Sequence, residues 1–81
     1  MYYYQPFYLL RKKNGGFPLW HILESEVSLN SKEIKERIME ENGGQEILEA
    51  NGYLEIILVE PVAEISKEQY NTLYQMMDME E

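Results

Sequence analysis

The chain contains no cysteine. Disulfides, thiolate metal sites and cysteine nucleophiles are therefore excluded, and the composition fits a reducing compartment. Histidine is almost as scarce, with His21 alone, and Asp78 is the single aspartate among 15 acidic residues. A Ser-His-Asp arrangement would have to recruit Asp78, near the end of the chain. Metal ligation would rest on His21 and glutamates, without the H-x-x-x-H or H-E-x-x-H spacing that sets two ligands on one helix face. Phosphate loops are missing too: Asn14-Gly15-Gly16 and Asn42-Gly43-Gly44 match neither nucleotide pattern and read as turn and helix-end geometry. Long apolar runs are lacking. Ile56–Val59 is far too short to span a bilayer, and Met1–Pro6 has neither the basic segment nor the apolar core of a secretion signal. The expectation is a cytoplasmic protein with no enzymatic activity, no cofactor, no metal and no membrane contact.

Positive charge is also in short supply. Seven bases face the 15 acids, for a net charge of −8 and a pI near 4.6. Long-range repulsion opposes association with phosphate backbones, so direct nucleic-acid binding is not expected. Arg11-Lys12-Lys13 is the one basic cluster and is expected to be solvated at a hairpin tip. Glu24 and Glu26 share one side of an extended segment. Nothing nearby suggests the pocket that would set their pKa values apart for acid–base work, so they too read as solvated. The bias towards Ile, Lys, Glu, Asn and Tyr is that of A+T-rich coding, as in low-G+C bacteria and their phages.

What remains is a fold signal. The 81 residues allow one small α+β domain with a thin stability margin. Asn51-Gly52 followed by Tyr53–Val59 and Pro61 reads as a tight hairpin turn into a strand. That strand is apolar on both sides, which predicts a central position in the sheet. Residues 2–12 read as a first strand, with Pro6 marking an edge or an interrupted ladder. Lys13–Gly16 is a turn, and Phe17–Glu24 is the returning strand.

A helix should start at Asn30, with Glu33 completing a capping box and Leu29 stapled onto Ile34. Ile34, Ile38 and Met39 form its apolar stripe. Glu33 with Arg37 and Lys32 with Glu36 are spaced for ion pairs, and Gly43 is placed for the left-handed cap. Gln45–Ala50 is expected as a third strand, leading through Asn51-Gly52 into the fourth. A second helix should start at Ser66 with Gln69, staple Ile65 onto Tyr70, and present Tyr70, Leu73, Tyr74 and Met77 on one face. Asp78, Glu80 and Glu81 lie where the helix dipole disfavours negative charge, so that end is expected to fray.

The expected order is ββαββα: one four-stranded antiparallel sheet with both helices packed on one face. An offset of 35 positions sets Leu19, Ile22, Leu23, Val27, Ser31, Lys32 and Glu33 on Leu54, Ile57, Leu58, Val62, Ser66, Lys67 and Glu68. Two related ββα halves would explain this.

In such a sheet the helix-free face carries the function. Neither strand of the first hairpin has a polar side, and seven of the ten aromatic residues fall in the first twenty positions. Large exposed apolar patches mark interaction sites, and Tyr and Trp favour interface hot spots. Tyr2, Tyr4, Phe7, Tyr8, Trp20 and His21 are accordingly the candidate partner-binding residues, for self-association or for another protein. The alternative uses the glutamates. Glu33, Glu36, Glu40 and Glu41 on the first helix, with Glu46, Glu49, Glu55 and Glu60 after it, could imitate a row of phosphates. An acidic inhibitor that occupies a basic nucleic-acid-binding surface of a host enzyme, of the kind phages encode, would look like this.

Overall fold

A computed structural model describes residues 1–78. Its organising element is the N-terminal hairpin. Strands β1 (Tyr2–Gln5) and β2 (Phe7–Lys12) are one extended run broken at Pro6, and β3 (Gly15–Trp20) and β4 (Leu23–Ser25) return alongside it. One register holds across the break, from Lys12 opposite Gly15 to Tyr2 opposite Ser25. The His21 amide still donates to the Pro6 carbonyl at 3.1 Å. Proline has no N–H to return that bond, so the ladder is interrupted there rather than slipped.

On the far side of the same run, β5 (Tyr53–Leu58) pairs with β2 and β6 (Ala63–Ile65) pairs with β1. The result is two three-stranded antiparallel sheets, β4-β1-β6 and β3-β2-β5. The α+β class is as expected, but the single four-stranded sheet is not formed. The central strand is the N-terminal run, and the Tyr53–Leu58 strand lies at an edge. Its two apolar sides have different reasons: Ile56 is 1 % exposed and faces the helices, whereas Ile57 is 40 % exposed on the open side.

The helices are α1 (Ser31–Glu41), α2 (Gln45–Ala50) and α3 (Lys67–Asp78). α1 begins as its sequence implies. Asn30 Oδ1 accepts from the Glu33 amide at 2.8 Å, and Glu33 Oε1 accepts from the Asn30 amide at 3.1 Å. α3 repeats this with Ser66 and Gln69, at 3.1 and 3.0 Å.

The segment 45–50 is a short helix, not the expected strand. Asn51-Gly52 ends that helix instead of turning a hairpin. Asn51 Nδ2 donates to the Ile47 carbonyl, and Gly52 takes a φ of +84°. The second half therefore opens with a helix, and the pair of related ββα halves is absent from the fold. The expected fraying concerns Asp78, Glu80 and Glu81. The last two lie outside the described residues.

The helices also divide differently from the expectation. Tyr4, Tyr8 and Leu10 on one side of the central run join Leu23, Ile56, Ile34, Ile38 and Leu48 in a single core under α1 and α2. On the other side, α3 covers only the β1 end, where the Tyr3 and Tyr70 rings meet at 5.0 Å. α2 already occupies space on the first side. Tyr3, Ile22 and Ile65 leave an apolar patch on the second side, and α3 covers it. Full burial, as at Ile22, contributes about 1.5–3 kcal/mol, and the half-buried Tyr3 and Ile65 contribute less.

Candidate interaction surface

α3 stops short of the β2 end, and the pairing shows what stays open there. Opposed residues share a face. Trp20, Phe7 and Val59 form one row across the sheet, closed by a 2.9 Å bond from the Val59 amide to the Phe7 carbonyl. Pro18, Leu9 and Ile57 form the next row, and Gly16, Arg11 and Glu55 the last. Trp20 is 36 %, Phe7 46 % and Val59 56 % exposed, although all three are large apolar residues.

At one end the face is bounded by an ion pair, Arg11 Nε to Glu55 Oε1 at 3.2 Å. Gly16 keeps that end low. A Cβ there would come within 2.9 Å of the Leu10 carbonyl oxygen and 3.1 Å of the Leu9 side chain. At the other end Met77 of α3 lines a shallow recess with Pro18, Leu19 and Trp20.

The candidate partner-binding residues separate into four groups, His21 being the last. Phe7 and Trp20 stand together on the open face. Tyr2 is exposed at the far end of the central run, away from them. Tyr4 and Tyr8 are core residues, 5 % and 6 % exposed, because the alternation of the strand turns them under α1 and α2. The Tyr4 hydroxyl accepts from the Leu29 amide at 3.0 Å. Neither ring is available to a partner.

The open face also holds Leu9, Pro18, Ile57 and Val59, which were not among the candidates. The alternation of strand one already put Leu9 beside Phe7. Two-sided apolarity hides Ile57 and Val59 in the sequence, because it reads as a central strand, whereas the strand lies at the edge.

His21 sits elsewhere, in a cleft of about 270 Å³ with Ile22, Glu41, Tyr70, Tyr74 and Met77. Its Nε2 lies 3.6 Å from Glu41 Oε2. The Tyr70 and Tyr74 rings are near-parallel, with centroids 6.2 Å apart. Burial first, then the carboxylate of Glu24, the neighbouring Tyr74 and Tyr3, and Glu41 raise the Tyr70 hydroxyl above its ordinary pKa of 10.

The acidic residues of α1 remain on the surface. Glu33, Glu36, Glu40 and Glu41 all stand exposed, with Glu33 Oε1 accepting in the capping box and Glu41 Oε2 3.6 Å from His21 Nε2. Among the described residues only Arg11–Glu55 and His21–Glu41 come within 4.0 Å as ion pairs. The expected Glu33–Arg37 and Lys32–Glu36 pairs are not made. Arg37 donates instead to the Glu24 carbonyl at 3.0 Å.

The basic cluster is partly engaged as well. Arg11 pairs with Glu55, and Lys12 Nζ lies 4.8 Å from the Tyr53 ring centre and 5.3 Å from that of Phe17. Among the described residues no group of three or more His, Asp or Glu side chains is placed to hold a metal ion. No helix there is long and apolar enough to cross a membrane. No family model, curated protein or solved structure matches this chain.

Proposed function

We propose that this protein is a non-catalytic interaction module that binds a protein partner, or a second copy of itself, through the outer face of the β3-β2-β5 sheet. One observation carries the reading: two successive rows of apolar side chains, led by Trp20, Phe7, Ile57 and Val59, lie side by side with no covering helix among the described residues. Antiparallel sheets that face water normally alternate polar residues on that side. An uncovered apolar patch on a chain this small exposes surface that association would remove from water, at about 25 cal/mol per Å². Trp20 at the margin of the patch is a residue type that dominates interface energetics. The setting consistent with the cysteine-free composition is the cytoplasm, without direct contact to nucleic acid.

Replacing Phe7 and Trp20 together by alanine tests the reading. Both are more than a third exposed and outside the core cluster, so the chain should stay folded with a lowered melting temperature. Association, followed by sedimentation velocity and by capture of bound protein, should be lost. Association that survives the double substitution would overturn the proposal. The acidic-inhibitor alternative rests on the exposed Glu36, Glu40 and Glu41 of α1. It predicts binding that weakens with salt and fails when all three are reversed to lysine.

A further inference from the structure

We infer that the cleft between α3 and the bend joining β3 to β4 receives an arginine side chain of a partner protein. Tyr70 and Tyr74 line it with ring centroids 6.2 Å apart, Tyr70 is backed by Tyr3 at 5.0 Å, and Tyr74 is half exposed. Their faces carry the negative side of the ring quadrupole, which attracts a cation within about 6 Å of a ring centre.

Glu41 lines the same cleft, with its side chain about half exposed. The Glu41–His21 separation of 3.6 Å is too long for a good hydrogen bond, so the carboxylate keeps its capacity to accept from a new donor. Ile22 and Met77 give the cleft apolar wall, which suits the aliphatic stem of a long basic side chain.

The sign of the ligand follows from the surroundings. No lysine or arginine lines the cleft, the chain carries a net charge of −8, and Glu24 stands close enough to act on Tyr70. Glu41 in the lining and the net charge of −8 disfavour an anion there. Among cations, the planar guanidinium both stacks on aromatic faces and forks onto a carboxylate, whereas an ammonium is a strongly hydrated point charge. The volume of about 270 Å³ admits a guanidinium with part of its stem.

The position adds to the assignment. Met77 lines both this cleft and the recess beside Pro18 and Trp20. An arginine flanked by apolar residues would therefore anchor a partner at the edge of the open face. The inference rests on the interaction reading for the identity of the ligand as a protein side chain. Its test reads the cleft alone.

A capped Ala-Arg-Ala tripeptide, with its lysine and citrulline counterparts, is titrated into the full chain while the ring resonances of Tyr70 and Tyr74 are followed by NMR. The arginine peptide should shift both rings with an affinity on the order of millimolar, the lysine peptide should bind less well, and the neutral citrulline peptide should give no shift. Glu41→Gln and Tyr74→Leu, both at exposed positions, should each weaken binding by about 3- to 10-fold without altering the melting temperature. Equal shifts from citrulline, equal affinity for lysine, shifts confined to α1 around Glu36 and Glu40, or no shift at all would each overturn the assignment. None of those results bears on the Phe7 and Trp20 substitutions, so failure of the cleft and failure of the open face are distinguishable.

Discussion

Tyr3 and Tyr4 are neighbours in sequence with opposite surroundings. Strand alternation sends Tyr4 into the core under α1 and Tyr3 to the other side, against Tyr70. The Tyr4 hydroxyl is not passive there, because it satisfies the Leu29 amide just before the α1 cap. Tyr4→Phe keeps the ring and removes the acceptor, so it should cost about 1–3 kcal/mol in urea unfolding, with the α1 entry loosened. Tyr70 gives a second residue-level expectation. Its folded pKa is raised, so the folded state holds the proton more tightly than the unfolded chain. The associated stability is fully present below the unfolded value near 10 and is lost as pH rises through the folded value. Tyr70→Phe should therefore flatten part of the alkaline fall in stability, read from urea midpoints between about pH 9 and pH 11. An unchanged alkaline slope would count against the shift.

At the level of elements, what was legible in the sequence was the local grammar, because caps and turns need only a few adjacent residues. Asn30 with Glu33 and Ser66 with Gln69 form the capping boxes their spacing implies. Asn30→Ala should cost about 1 kcal/mol, measurable as a lowered urea midpoint. The segment 45–50 reads as a strand in the sequence for a physical reason. Six residues are too few to show helical period clearly, only Leu48 is buried, and Asn-Gly serves hairpins and helix ends alike. Both uses occur in this chain: Asn14-Gly15 sits at the β2–β3 hairpin turn, whereas Asn42-Gly43 closes α1 with the asparagine amide bonded four residues back. The two glycines differ in one testable respect. Gly43 at φ +94° has Ile47 side-chain atoms 3.1–3.3 Å from where a Cβ would stand, whereas Gly52 at +84° has none within 4 Å. Both alanine substitutions should destabilise by about 1–2 kcal/mol from backbone strain, and Gly43→Ala should cost more. Equal thermal shifts would show that Ile47 yields freely.

For the whole molecule, the sheet order could not be read from local pattern, because a strand's position depends on partners far away in sequence. Two-sided apolarity in Tyr53–Leu58 reflected one buried side and one open side, and the same open side now defines the candidate surface. The opposed placement of the helices has a dynamic consequence. Every buried residue of the core cluster comes from β1, β2, β4, α1, α2 or β5, and none from α3. Tyr70 and Leu73 of α3 are only half buried, and its contacts run mainly to the short strand β1. α3 can therefore open without dismantling the main core, exposing Tyr3 and the cleft wall while β2 stays paired on both edges. Hydrogen exchange at low denaturant should then show α3 amides exchanging through a local opening well below the global unfolding free energy. The amides of β2 and of the middle of α1 should exchange only with global unfolding. A shared exchange free energy for α3 and β2 would mean that the Tyr3–Tyr70 contact couples the two sides of the sheet into one cooperative unit, and that the cleft is as rigid as the core.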